Sequence, residues 1–221
     1  MHARAEPVQA VLTIAAQTPT SDRSAIPGAI PGDGVPSDPR FTNFNNRIAR
    51  SPTSNLWLIV ATTNLTPASA DQVLVVGSGR NIVGDAVAAR EGVTTTSEGD
   101  LLNFSRLDTP RINDGGRWAM TYRLNITGAS AIDERVVRYD GESLRTLFKA
   151  GDVIPANSQQ TFGGSFTGAN IINSGQVTFQ ATIGPITGAN DSVFAADGTL
   201  LLINVGVDAP TRMAFFYVPN G

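Results

Sequence analysis

Arg111-Ile112-Asn113-Asp114-Gly115-Gly116-Arg117-Trp118-Ala119-Met120-Thr121-Tyr122-Arg123-Leu124 reads as a tight polar turn running straight into an alternating strand. Trp118, Met120, Tyr122 and Leu124 share one face, the period-two signature of a half-buried β-strand. About 60 residues later the plan returns. Ile172-Asn173-Ser174-Gly175-Gln176 is the turn, and Val177, Phe179, Ala181 and Ile183 take the corresponding places in the strand. A degenerate copy comes first, in which Arg50-Ser51-Pro52-Thr53-Ser54-Asn55 replaces the glycine turn and Trp57, Ile59, Ala61 and Thr63 are expected inward.

Each of these strands is followed by a polar stretch, an aspartate and a second strand: Asp71 before Gln72-Val73-Leu74-Val75-Val76, Asp133 before Glu134-Arg135-Val136-Val137-Arg138-Tyr139, Asp191 before Ser192-Val193-Phe194-Ala195-Ala196. Gly77-Ser78-Gly79, Asp140-Gly141 and Asp197-Gly198 then predict hairpins, because these residues accept the positive φ of tight turns. A third strand follows each hairpin, at Asn81-Ile82-Val83, Ser143 to Phe148 and Thr199 to Val205. Glycine-aspartate-proline corners close the units, at Gly151-Asp152-Val153-Ile154-Pro155 and Gly206-Val207-Asp208-Ala209-Pro210, and Gly32-Asp33-Gly34-Val35-Pro36 precedes the first.

The pattern predicts an all-β chain of tandem antiparallel β-meander repeats, each with an apolar face that its neighbours must cover. Radial stacking gives a β-propeller-like arrangement of about 3.5–4 blades per chain, and linear stacking gives an open array. The expected organisation is an N-terminal strand and Pro/Gly-rich loop over 1–40, repeats over 41–100, 101–160 and 161–210, and a C-terminal strand over 211–221. Val11-Leu12-Thr13-Ile14-Ala15-Ala16 is too brief for a signal-peptide core or a membrane span and reads as a strand. Exposed strand edges invite pairing with another chain, so a homo-oligomer or polymer is expected, with Val11, Leu12, Ile14, Phe215 and Tyr217 as self-association candidates.

The strand-opening motif at Ile112 to Met120 and Ile172 to Phe179, the Asp-Gly hairpins, and Ala150-Gly151-Asp152-x-x-Pro155 followed by Phe162 resemble the tandem repeats of exported bacterial surface proteins. The resemblance covers residues 30–210 and implies a propeller-like fold and an extracellular or cell-surface location. Such proteins often end in a sorting signal, and Pro219-Asn220-Gly221 does not match one.

Catalytic equipment is sparse. The 221 residues include one histidine, His2, and no cysteine, which leaves no Ser-His-Asp triad, thiolate metal site or cysteine nucleophile to assemble. Lys+Arg 16 against Asp+Glu 19 gives no basic groove for nucleic acid. No window offers the roughly 20 apolar residues of a spanning helix. Val73-Leu74-Val75-Val76-Gly77-Ser78-Gly79-Arg80-Asn81-Ile82 has isoleucine where a dinucleotide loop needs its third glycine, and it is read as a hairpin. Gly163-Gly164-Ser165-Phe166-Thr167-Gly168 is read as a flexible turn. Asp133, Glu134, Asp152, Asp191 and Asp208 are the acids available for paired-carboxylate chemistry, yet they recur at repeat corners, where aspartate serves as a turn former. Lys149 is the sole lysine.

The function expected is therefore a non-enzymatic extracellular structural or adhesive repeat protein that self-associates through edge strands, without a cofactor. The alternative is a lectin-like propeller binding surface glycans through loops at Asn64, Asn125 and Asn190. A polysaccharide-cleaving enzyme is the third reading, and it requires two carboxylates converging in a cleft.

Overall fold

A computed structural model describes residues 25–26, 28–79, 81–104, 110–124, 133–154, 157–184, 189–195 and 200–205. The expected strands and side chains at Val11, Leu12, Ile14, Phe215 and Tyr217, the Asn125 loop and the Asp197-Gly198 hairpin lie outside them. The chain is all-β. Sheet 1 is the antiparallel meander β1 (Phe41–Arg50), β2 (Leu56–Thr63), β3 (Gln72–Ser78) and β4 (Asn81–Arg90). Sheet 2 repeats it with β5 (Arg111–Ile112), β6 (Trp118–Arg123), β7 (Glu134–Tyr139) and β8 (Leu144–Lys149). Sheet 3 contains β10 (Asn157–Ile171), β11 (Val177–Gly184), β12 (Ala189–Ala195) and β13 (Leu200–Val205), with the short β9 (Val153–Ile154) added beside β10.

Register shows how closely the units correspond. Leu74 pairs with Ala89 and then Val75 with Val87, so β4 carries one extra residue there. Val136 pairs with Phe148 and Val137 with Thr146, and Val193 with Leu202 and Phe194 with Leu200. Each sheet thus bulges at the same point between its last two strands. A bulge kinks the strand and increases the twist, so these three sheets curve alike. The corners match too: Gly92 N donates to Leu102 O and Gly151 N to Phe162 O, both at positive φ. Phe41, Leu102 and Phe162 occupy equivalent buried places at 0%, 0% and 1% exposure.

Two apolar layers hold the stack. Leu58, Val60 and Leu74 of sheet 1 pack with Trp118, Met120, Tyr122 and Val137 of sheet 2, with Leu102 and Phe104 from the connecting segment. The other side of sheet 2, through Ala119 and Val136 with Phe148, meets Phe162, Phe166, Val177 and Phe179 of sheet 3. Sheet 2 is therefore covered on both sides, which explains the unbroken buried run Trp118-Ala119-Met120-Thr121-Tyr122. A third cluster lies on the outer side of sheet 1, where Ile26 and Phe41 cover Ala61, Val73, Val75 and Val87.

Several sequence expectations need correction. Trp57 and Ile59, expected as the inward face of β2, are only partly buried on that outer side, while Leu58 and Val60 at 0% exposure face sheet 2. Period two identifies two faces; in a stack it does not say which is the core. The flexible turn expected at Gly163 to Gly168 is the middle of β10, whose register shifts around Phe162/Phe166 and Thr167/Asn170. Glycine inside a strand marked bulges rather than a break. The Ile-Asn alignment is off by one residue: Ile112 pairs with Trp118 but Ile171 pairs with Val177, so Asn113 corresponds to Ile172. The first strand of each unit was not anticipated, and the third strand of the first unit extends to Arg90.

The Gly77-Ser78-Gly79 segment is a hairpin: Ser78 pairs with Asn81, and Gly79 sits at φ 56°. Gly77 has a second task. A Cβ there would lie 1.9 Å from Trp57 Cζ2, so only glycine admits the indole, whose Nε1 donates to Gly79 O at 3.2 Å.

Candidate functional site

The polar groups gather at three joints, one between the turns of successive sheets and two that fix connecting segments against a sheet. The first is Asp114, in the turn before β6. Its Oδ1 accepts from Thr53 N at 2.8 Å and Ser54 N at 2.7 Å, and its Oδ2 accepts from Thr53 Oγ1 and Asn173 Nδ2, both at 2.7 Å. Asp114 N in turn donates to Asn173 Oδ1 at 3.0 Å. One carboxylate thereby joins the equivalent turns of all three sheets. The backbone donors of Ser54 and Thr53 hold it far below the usual carboxylate range. Beside it, buried Asn113 accepts from Gly115 N and Arg117 N, each at 3.0 Å, and donates to Ile172 O at 2.9 Å.

The second joint is Asp100. Cross-strand pairing sets Tyr122, Arg135 and Lys149 in one row across sheet 2. The segment between sheets 1 and 2 lays Asp100 onto that row. Arg135 Nε donates to it at 3.3 Å, Lys149 Nζ at 3.2 Å and Thr146 Oγ1 at 2.6 Å. Burial pushes the Asp100 carboxyl up, but the Thr146 and Lys149 hydrogen bonds and the nearby cations outweigh it, and the net shift is downward. An acid held ionised and saturated with donors suits a joint, since a general acid must keep its proton near neutral pH. The same segment covers the edge of β8: Ser97 N donates to Leu144 O at 2.8 Å, and Thr146 N to Glu98 Oε2 at 2.7 Å.

The Tyr122 hydroxyl belongs to this row yet is buried without a hydrogen-bond partner, and burial, then the Asp100 charge, drives its pKa upward. Removing an unsatisfied buried hydroxyl costs little, so Tyr122→Phe is expected to leave stability within about 0.5 kcal/mol of the parent or raise it. A urea-denaturation loss above about 1 kcal/mol would show that the hydroxyl has a role these contacts do not contain.

The third joint is Arg90, the last residue of β4 and 0% exposed. Its Nε donates to Ala70 O at 2.7 Å, Nη1 to Pro31 O and Asp33 O at 2.8 Å, and Nη2 to Thr66 O at 2.9 Å. A planar fork of donors meets carbonyls from two loops. Burial lowers its pKa, opposed by the charge of Asp33. By register Arg90 is the counterpart of Lys149, since Val73 pairs with Arg90 as Arg135 pairs with Lys149.

The carboxylates give a pH expectation. Asp140 is held at about 2 by the backbone amides of Ser143 and Glu142, below its ordinary 3.8, and Asp114 and Asp100 are also lowered. Folded values below unfolded ones mean stability that is present above the unfolded pKa and lost as pH falls toward the folded values. Urea midpoints should therefore hold steady above about pH 5 and fall between about pH 4 and 2. Asp114→Asn should flatten part of that acid limb; an unchanged limb would remove Asp114 from the joint.

Of the residues singled out in the sequence, Asn64 is exposed and occupied within the chain: its Oδ1 accepts from Arg40 N at 2.7 Å and its Nδ2 donates to Asp38 O at 2.9 Å. Asn190 lies on β12. Asp152 accepts from Lys149 N at 2.7 Å, as a turn former does. Trp118 and Tyr122 are core, at 1% and 0% exposure. Sequence reading did not single out Arg90, Asp100 or Glu98. The one available signal was position: Arg90 ends its strand as Lys149 does, two residues before a glycine.

Fold and joints together define a class of protein, the stacked β-meander repeat whose charged side chains connect successive units. Residues 32–217 match the family model described as "Family of unknown function (DUF7453)", and the chain belongs to that family. No curated protein matches it.

Proposed function

We propose that this chain is a non-enzymatic structural or adhesive building block of the cell surface, self-associating through edge strands into an oligomer or filament. The observation that carries the reading is Asp114: a carboxylate that accepts from one neighbouring turn and pairs with another is committed to joining repeats. Asp100 and Arg90 act in the same sense, fixing connecting segments against sheets. Ser97 and Glu98 occupy the β8 edge, and covered edges do not recruit strands, so the reading assigns self-association to edge strands other than β8. The cell-surface location rests on the resemblance of the repeats to those of exported proteins.

Light scattering across a wide concentration range, with electron microscopy of the same samples, tests this reading. Mass rising with concentration, or visible rings or fibres, is the expected result. A strictly monomeric particle at the highest concentration would overturn self-association.

A further inference from the structure

Sheet 1 departs from the other two at one register position. The last cross-strand pair before the turn is Arg50–Trp57 in sheet 1, Ile112–Trp118 in sheet 2 and Ile171–Val177 in sheet 3. Directly opposed residues share a face of their sheet. In sheets 2 and 3 a neighbouring sheet covers that face, and Ile112 and Ile171 are 3% and 4% exposed. Arg50 is exposed, with no ion pair or side-chain hydrogen bond among the described residues. Desolvating an unpaired charge is costly, so this corner resists the apolar cover that its two counterparts receive. An occupant must bring a negative charge.

Trp57 is the other half of the pair. Its Cζ2, Cε2 and Cη2 atoms lie 1.9, 2.1 and 2.5 Å from where a Gly77 Cβ would stand, so the indole lies across the glycine. In sheet 2 the place of Gly77 belongs to Tyr139, whose ring stacks on Trp118 at 5.6 Å. Sheet 1 gives up that side chain, and the Nε1–H bond to Gly79 O holds its tryptophan down. Trp57 stays partly exposed, beside Ile59 and the Ile48 that pairs with it, which is 59% exposed. We propose that this corner binds an anionic saccharide, with a pyranose ring stacked on the Trp57 indole and its carboxylate or sulfate accepting from Arg50. An aromatic face is electron-rich and attracts the weakly positive C–H groups on the flat side of a sugar. The guanidinium fork matches a planar pair of acceptor oxygens. Ile48 and Ile59 extend the apolar floor toward a second sugar unit. Single-stranded nucleic acid also combines stacking with negative charge, but it would meet a chain of net charge −3 rather than a basic groove. The site is separate from the Asn64 loop and does not depend on self-association.

The full chain has two tryptophans and Trp118 is 1% exposed, so acrylamide quenching of fluorescence reads Trp57. Titration with an oligogalacturonate, a chondroitin sulfate oligosaccharide and a neutral malto-oligosaccharide of matched length separates carboxylate, sulfate and uncharged sugars. At least one anionic probe should bind more than about tenfold tighter than the neutral one and shield Trp57 from acrylamide. Arg50→Gln should bring the anionic and neutral probes within about twofold of each other, and Trp57→Leu should weaken the anionic probe about tenfold. Failure of both anionic probes to bind, binding that Arg50→Gln leaves unchanged, or tighter binding of a single-stranded oligonucleotide would overturn the proposal. So would a Trp57 already shielded in the ligand-free chain: shielding that fades on dilution would make a second copy the occupant, and shielding that persists would make it another segment of the chain. Arg50 is exposed and outside the three clusters, so Arg50→Gln should keep its far-ultraviolet circular dichroism and decides the test even where Trp57→Leu loosens the outer cluster of sheet 1.

Discussion

Replacing Arg90 by alanine is expected to lower the unfolding free energy by about 3–5 kcal/mol, read as a shift in the urea midpoint at constant slope. The effect arises from what is left behind. Ala70, Thr66, Pro31 and Asp33 all present carbonyl oxygens to a guanidinium that solvent does not reach. The buried Ala70 acceptor left without a donor costs about 1–3 kcal/mol before water enters the space, and the part-buried Pro31, Asp33 and Thr66 carbonyls add to that loss. Arg90→Lys keeps the charge but not the planar fork, so it should recover only part of the loss. A loss under about 1 kcal/mol for Arg90→Ala would mean that the loops stand without their central donor.

Phe162→Ala is the second large effect, expected at about 3–5 kcal/mol. Phe162 is 1% exposed, and its ring centroid lies 5.0 Å from Phe148, 5.5 Å from Phe166 and 5.7 Å from Phe179. Phe148 belongs to sheet 2 and the other rings to sheet 3, so truncation opens a cavity in the layer between them. Close-packed neighbours relax only partly into such a space. Because sheet 3 joins the stack through this layer, hydrogen exchange should speed up first in β11 and β12, before β2 and β3. Uniform acceleration across all three sheets would point instead to one indivisible cooperative unit.

The repeat was legible because it is written in short-range chemistry. Alternation around Trp118 and Val177 and the glycine turn at Gly77 to Gly79 each fix local conformation, and the meander follows from them. Much of what escaped the sequence is long-range. Whether Trp57 or Leu58 faces the larger core depends on a sheet more than 50 residues further along, which alternation in β2 does not encode. The short β5 has too few residues to show a period, and the glycines of β10 hide its pairing behind turn chemistry. The joints were least visible of all. Arg90 binds carbonyls, which every residue possesses, so no motif announces the partner. Asp114 was quoted as part of a turn, which it is, but its four acceptor contacts come from residues about 60 positions away on either side.

Methyl and aromatic nuclear Overhauser contacts from sheet 2 test the stacking most directly. Met120 should show cross-peaks to sheet 1 methyls such as Leu58 and Val60, while Val136, on the opposite face, should show them to the rings of Phe162 or Phe179. Both sets together place sheet 2 between two others. Absence of either set, with the β6–β7 pairing still observed, would contradict the stack.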